Sequence, residues 1–87
     1  MKKDHYKNLI ERLNFFVEYL RKYEKGQDED LLKTMKKINE IAYFVDGKIL
    51  LDSNDLKDKL NEFLLGKIAK DEVLERAVKL RNDLWEL

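Results

Sequence analysis

The sequence predicts an all-α protein, a compact antiparallel four-helix bundle built from two helical hairpins. Apolar residues recur three or four positions apart along most of the 87-residue chain, which is the spacing of one face of an α-helix. The chain contains no proline, and its 3 glycines fall between the periodic segments. Four amphipathic helices with short connections therefore account for residues 1–87 as a single helical domain.

The first periodic segment predicts helix 1 over about residues 3–25. Gly26 follows it, and glycine readily takes the left-handed conformation that ends many helices. The apolar residues of helix 1 include a four-three-four-three repeat, which is typical of a helix packed nearly parallel or antiparallel to its neighbour. This repeat consists of Tyr6, Ile10, Leu13, Val17 and Leu20.

Helix 2 is expected to begin after Asp28, whose side chain would cap it, with Glu29 and Asp30 at the positive end of the helix dipole. The connection from helix 1 is short, so the two helices should pair antiparallel. The apolar repeat of helix 2 runs to the end of the segment without a break. This repeat consists of Leu31, Met35, Ile38, Ala42 and Val45.

The end of helix 2 has a second interpretation. Residues 45–49, VDGKI, also fit a β-hairpin, because Asp-Gly between β-prone residues is a strong turn signal. The fold would then be mainly α with a small β-hairpin at about residues 42–51. The unbroken apolar repeat favours the helical interpretation, in which Gly47 ends helix 2 as Gly26 ends helix 1.

Helix 3 is expected to start near Asp52, whose side chain would cap it, and to end at Gly66. Leu51 has the spacing to pack on Leu56 across the first turn of this helix. The apolar stripe of helix 3 consists of Leu56, Leu60, Phe63 and Leu64.

Helix 4 is expected to run from about Lys70 to the C-terminus. Ile68 and Val73 have the spacing of a hydrophobic staple at its start, and Glu72 has that of a capping box. The N-cap position then falls on Ala69, which has no side-chain acceptor for the first N–H groups. The core-facing repeat consists of Val73, Ala77, Leu80, Leu84 and Leu87.

Charge and composition exclude several classes of function. Residues 1–45 carry 10 basic and 8 acidic groups, and residues 46–87 carry 8 and 10, so neither half has the field of a nucleic-acid-binding domain. The longest apolar run, residues 41–45, is far too short to span a membrane, and the N-terminus lacks the apolar core of a signal peptide. Because the chain also contains no cysteine, we expect a cytoplasmic protein.

Residues for catalysis and metal binding are scarce, with one histidine, His5, one serine, Ser53, and no cysteine. Ser53 lies at the predicted start of helix 3, where its hydroxyl would bond the backbone, and His5 lies in the first turn of helix 1. Residues 52–55 begin like a calcium loop, but Lys57 and Phe63 stand where the loop needs glycine and glutamate. We expect no enzyme activity and infer no cofactor, metal or small-molecule ligand.

An aromatic strip, Phe15, Tyr19 and Tyr23, lies beside the predicted seam of helix 1, with Arg12 one turn before it. Tyrosine and arginine often anchor protein interfaces. We expect helices 3 and 4 to bury Phe15, and Tyr19 and Tyr23 to lie in an interface with another protein or a second copy of the chain. Leu32 and Tyr43, off the seam of helix 2, form a second and weaker candidate.

The sequence therefore favours a non-enzymatic helical module that binds another protein, with a homodimer joined through helix 1 as one version. Residues 63–68, FLLGKI, followed by an acidic helix start, resemble a turn found in some small bacterial immunity proteins that inhibit toxins. The resemblance covers this turn only and implies, as an alternative, an immunity-type or antitoxin-type inhibitor of a toxin or an enzyme. A further alternative is weak nucleic-acid binding through Lys33, Lys36 and Lys37.

Overall fold

Four α-helices form an antiparallel bundle in the computed structural model, which describes residues 2–86. α1 and α3 each pack closely against both α2 and α4, whereas the backbones of the two diagonal pairs lie farther apart, so the helices occupy the corners of a square. The predicted four-helix bundle is confirmed, and the hairpin alternative is wrong because residues 2–86 contain no strand. The helices are α1 (Lys2–Arg21), α2 (Glu29–Tyr43), α3 (Gly47–Leu64) and α4 (Lys70–Trp85).

The core is an apolar cluster to which every helix contributes one face. The predicted repeats supply much of it, since Leu13 and Ile38 are completely buried and Leu84 is 3% exposed. Leu87, the last residue of the predicted repeat in helix 4, lies outside the described residues. The buried residues of α1 are Leu9, Leu13, Phe16, Val17 and Leu20.

The buried face of α1 differs from the predicted repeat. Tyr6 and Ile10 are only partly buried, whereas Leu9 and Phe16 are completely buried. α1 packs against two neighbours, so its most buried line faces the space between α2 and α4. A four-three repeat describes packing against one partner helix, and it therefore misses this rotation.

The start of α3 corrects the prediction that this helix begins near Asp52. Asp46 has an extended backbone, and its carboxylate accepts a hydrogen bond from the Lys48 backbone N–H at 2.7 Å, which makes Asp46 the N-cap. Gly47 is accordingly the first residue of α3 and does not end α2. Asp52 and Leu51 lie inside α3, and Leu51 is exposed, so it does not staple the helix start.

The early start of α3 also changes the position of Ser53. This residue is completely buried, and its hydroxyl donates a hydrogen bond to Asn39 Oδ1 on α2. The expectation that Ser53 bonds the backbone at a helix start is therefore wrong. A buried hydroxyl without a partner would cost about 1–3 kcal/mol, so the bond to Asn39 favours the pairing of α2 and α3 in this register.

The two remaining connections both use a glycine with a left-handed backbone. Gly26 has φ +96° and occupies the third position of a turn closed by a hydrogen bond from Gln27 N to Glu24 O at 3.0 Å. α1 ends four residues earlier than predicted, so Gly26 shapes this turn and does not terminate the helix directly. Gly66, with φ +78°, does terminate a helix as predicted, since Lys67 N bonds Glu62 O at 2.8 Å in a Schellman motif.

Truncation of core residues tests the bundle directly. We expect Leu13→Ala, Ile38→Ala and Leu84→Ala each to lower the free energy of unfolding by about 2–4 kcal/mol, because each leaves a cavity at a helix contact. Leu51→Ala is the matched control, since this leucine is exposed and its truncation should cost less than about 0.5 kcal/mol. Urea unfolding monitored by circular dichroism measures the free energy of unfolding of the core variants and of the control. A loss below about 0.5 kcal/mol at any of the three core positions would contradict this packing.

Substitution of Ala69 tests the start of α4. Ala69 has the extended backbone of an N-cap but provides no side-chain hydrogen bond. Ala69→Ser should therefore raise the free energy of unfolding by about 0.5–1.5 kcal/mol, whereas Asp46→Ala, which removes an existing cap, should lower it by a similar amount. Urea midpoints measure both changes. An unchanged or lower midpoint for Ala69→Ser would contradict the position of Ala69 as the N-cap of α4.

Candidate functional site

The exposed part of the aromatic strip is formed by Phe15 and Tyr19. Their side chains are 48% and 39% exposed, and their rings stack with centroids 6.4 Å apart. The expectation that helices 3 and 4 bury Phe15 is wrong. α3 lies diagonally across the bundle from α1, and α4 packs along another edge of α1, where Arg81 donates a hydrogen bond to Asn14 at 3.0 Å.

Tyr23 is separated from the rest of the strip because α1 ends at Arg21. Its hydroxyl donates a hydrogen bond to Asp28 Oδ1 at 2.9 Å, and its ring meets the Phe63 ring edge-on at 5.3 Å. The bond to the Asp28 carboxylate, and then partial burial, raise the pKa of the Tyr23 phenol. Asp28 precedes α2 as predicted, but its side chain makes no capping bond to the backbone. Tyr23 and Asp28 thus close the loop between α1 and α2 against α3.

Arg12 is exposed and lies in a shallow groove of about 350 Å³ between α1 and α2. The end of this groove is formed by Phe44, whose ring stacks on that of His5 at 6.3 Å. His5, expected in the first turn of helix 1, is therefore partly buried by an aromatic contact. Phe15 and Tyr19 do not line this groove, so Arg12 is not brought together with them in one concave surface.

A larger groove of about 560 Å³ lies between α2 and α3 and is called here the α2–α3 groove. Its apolar wall is formed by Leu32, Tyr43 and Phe44, which are 45%, 70% and 67% exposed. The buried side chains of Met35 and Leu60 lie at its base. The remaining lining residues are polar or charged, namely Lys36, Asn39, Glu40, Lys57 and Asn61.

This groove includes Leu32 and Tyr43, the weaker of the two candidates identified in the sequence. The sequence pattern does not single out Phe44, because it places this residue inside helix 2, in the apolar run of residues 41–45, whereas α2 ends at Tyr43. The rings of Tyr43 and Phe44 meet edge-on, with their centroids 5.3 Å apart. Lys57 and Asn61 gave no sequence signal, because polar residues beside an apolar stripe occur on every amphipathic helix.

The rest of the described surface offers less for recognition. A polar groove between α3 and α4 alternates acidic and basic side chains, and its Arg76 and Asp55 form an ion pair at 3.2 Å. The residues that the structure describes contain no group of three or more histidine or acidic side chains that could hold a metal ion. None of the described helices has the length and apolar character needed to cross a membrane.

Comparison with known proteins assigns neither a family nor a function to the chain. No protein-family model matches the chain, and no curated protein or solved structure matches it at a significant level.

Alkaline titration tests the link between Tyr23 and Asp28. A phenol whose pKa is raised in the folded state stabilises the protein below its ordinary pKa of 10.0, and this stabilisation is lost as the pH rises through the raised value. We therefore expect Tyr23→Phe to lower the urea midpoint at pH 8, and the difference from wild type to shrink above pH 10.

Tyr43→Phe is the control, because Tyr43 is exposed and its hydroxyl makes no hydrogen bond to the residues that the structure describes. It should leave the midpoint unchanged at both pH values. A difference for Tyr23→Phe that stays constant with pH would contradict the role of the Tyr23 hydroxyl.

Proposed function

We propose that this chain is a non-enzymatic interaction module that binds another protein through the α2–α3 groove. The observation that supports this function is the exposure of Leu32, Tyr43 and Phe44 beside the groove while the apolar core beneath them is closed. A small monomer gains no stability from exposing these side chains, and exposed apolar side chains along one groove are typical of binding sites.

The residue types and the length of the groove favour a protein segment as its ligand. Tyrosine and phenylalanine supply large apolar contacts at interface centres. From Leu32 to Tyr43 the α2 wall extends over roughly three helical turns, or about 16 Å, which suits an elongated ligand. The groove is open along its length, whereas a small molecule is usually held in an enclosed pocket.

Nucleic-acid binding receives less support. Lys33 and Lys37, two of the three lysines proposed for it, form ion pairs with Glu29 at 2.9 Å and Glu40 at 3.8 Å. The pair with Lys33 lowers the pKa of Glu29, so this carboxylate stays charged beside the lysine. Neighbouring carboxylates reduce the positive field that a phosphate backbone requires.

The absence of enzymatic activity and a cytoplasmic location are parts of the same proposal. The Ser53 hydroxyl is completely buried and bonded to Asn39, so it is not available to a substrate. His5 lies against Phe44 in the groove between α1 and α2, whereas Ser53 bonds Asn39 between α2 and α3. The lack of cysteine is compatible with a reducing compartment.

Self-association through α1 is a second candidate, favoured by the exposed stack of Phe15 and Tyr19. Two half-exposed aromatic side chains offer roughly 200 Å² in total, whereas a stable interface buries about 800 Å² on each partner. A dimer through α1 would therefore be weak. The inhibitor alternative rests on the turn at residues 63–68, but its Schellman geometry ends many unrelated helices and does not select a partner.

Site-specific photo-crosslinking tests the proposed surface. A photoreactive residue replaces Leu32 in the groove, Phe15 on α1, or Glu75 on the outer face of α4 as control. Adducts from native cells are identified and the captured partner is purified. We expect adducts from position 32 only. Binding of the purified partner should fall about tenfold or more in a Leu32→Glu and Tyr43→Glu double variant that melts as wild type does.

Other outcomes of this experiment separate the alternatives. Adducts of the chain with itself from position 15 would support the α1 homodimer and overturn the groove as the functional surface. No adduct from position 32, or unchanged partner binding by the folded double variant, would also overturn the proposal.

A further inference from the structure

We infer that the ligand of the α2–α3 groove is an amphipathic helix of a partner protein, with apolar residues along one face and carboxylates on both flanks of that face. This inference rests on the proposed function, because it names the chemistry of the segment that the same groove would bind. It is carried by the shape of the groove, by the charge on its two walls and by the hydrogen-bonding groups between them.

The shape of the groove fits the side of a helix. Two adjacent antiparallel helices leave a straight channel between them, and here its apolar base is formed by Met35 and Leu60. A ligand helix of about three turns would place apolar residues at positions i, i+4 and i+7 along such a channel.

The charge on the walls selects an acidic ligand. Lys36 stands on the α2 wall and Lys57 on the α3 wall, and neither takes part in an ion pair among the residues that the structure describes. The one acidic lining residue, Glu40, lies 3.8 Å from Lys37, which offsets its charge. Because a cation stands on each side of the channel, carboxylates on both flanks of a ligand helix would meet a positive charge.

The amides that line the groove act in the same direction. Asn39 lies between the walls, and its Oδ1 is occupied by the Ser53 hydroxyl, so its NH₂ group is the end that can serve a ligand. Asn61 adds a second amide on the α3 wall. The donors of the groove are Lys36, Lys57 and the NH₂ group of Asn39, whereas Asn61 can donate or accept and Glu40 accepts. Donors therefore outnumber acceptors, which favours a ligand that presents oxygen acceptors.

A second copy of this chain does not offer a suitable segment. Its exposed apolar residues outside the groove and the aromatic strip are Leu51, Leu65 and Trp85. Leu51 and Leu65 stand alone at opposite ends of the α3 region, and Trp85 is the last residue of α4. None of these belongs to an exposed apolar stripe of three turns, and the exposed stack of Phe15 and Tyr19 spans only about one turn. No described segment of a second copy therefore matches the length of the groove, which favours a different protein as the ligand.

Synthetic peptides provide the test. The first is a helical peptide of about 14 residues with leucine at i, i+4, i+7 and i+11 and glutamate on both flanks. The second has lysine at every glutamate position, and the third contains the residues of the first in an order that breaks the apolar face. Fluorescence anisotropy measures binding to the full chain, and amide NMR shifts locate it.

We expect the acidic peptide to bind about tenfold or more tightly than the basic and scrambled ones and to shift amides of residues 32–44 and 57–61. The double change Lys36→Glu and Lys57→Glu should reverse the preference to the basic peptide. The matched control, Lys25→Glu with Lys67→Glu, makes the same change in net charge in exposed loops and should keep the acidic preference.

The remaining outcomes distinguish this inference from the proposed function. Equal binding of acidic and basic peptides, lost in the Leu32→Glu and Tyr43→Glu variant, would overturn the acidic ligand and leave groove binding intact. No peptide binding, with a partner still crosslinked at position 32, would overturn the helical ligand only. Failure of both peptide binding and crosslinking would overturn both, and a self-adduct at position 32 would identify a second copy as the ligand.

Discussion

The face that α3 turns toward the core is the constraint on which the α2–α3 groove depends. Buried apolar residues recur along this face with helical spacing, and they set the rotation of α3 whichever residue begins the helix. Ser53 falls on the same face and bonds the partly buried Asn39 of α2, whereas Lys57 and Asn61 fall one position after buried residues and line the groove. The Asp46 cap adds the first turn of α3, but the burial of its apolar face determines the composition of the surface between α2 and α3.

Local sequence patterns predicted the fold class and most of the core, but they could not place the start of α3. Asp46 and Asp52 are equally suitable caps when only neighbouring residues are considered, and Asp-Gly also suits a hairpin. In the structure α3 begins at Gly47, and Val45 and Ile49 on either side of this start are both buried in the core formed by all four helices. Tertiary packing of this kind is not visible in the spacing of nearby residues.

The candidate site was partly predictable for a related reason. Periodicity predicted that Phe15 and Tyr19 share a face, and it identified Leu32 and Tyr43 as residues outside the seam of α2. It grouped Tyr23 with the strip only by assuming that α1 continues, although hydrogen bonding to Asp28 draws Tyr23 out of that face. A helical pattern predicts the face on which a residue lies only within the helix itself. The orientation of residues near a helix end, such as Tyr23, depends on tertiary contacts.

The lysines of the α2–α3 groove belong to a chain without net charge. With 18 basic and 18 acidic residues, any charge preference for a ligand has to come from local surfaces. Four described lysines pair with an acidic side chain three or four positions away, as Lys33 does with Glu29. Lys36 and Lys57 line the two walls of the groove without such pairing, and charge beside apolar surface is stronger where a ligand excludes water. On the function proposed, the preference for a ligand would therefore come from two lysines of a protein that has no net charge.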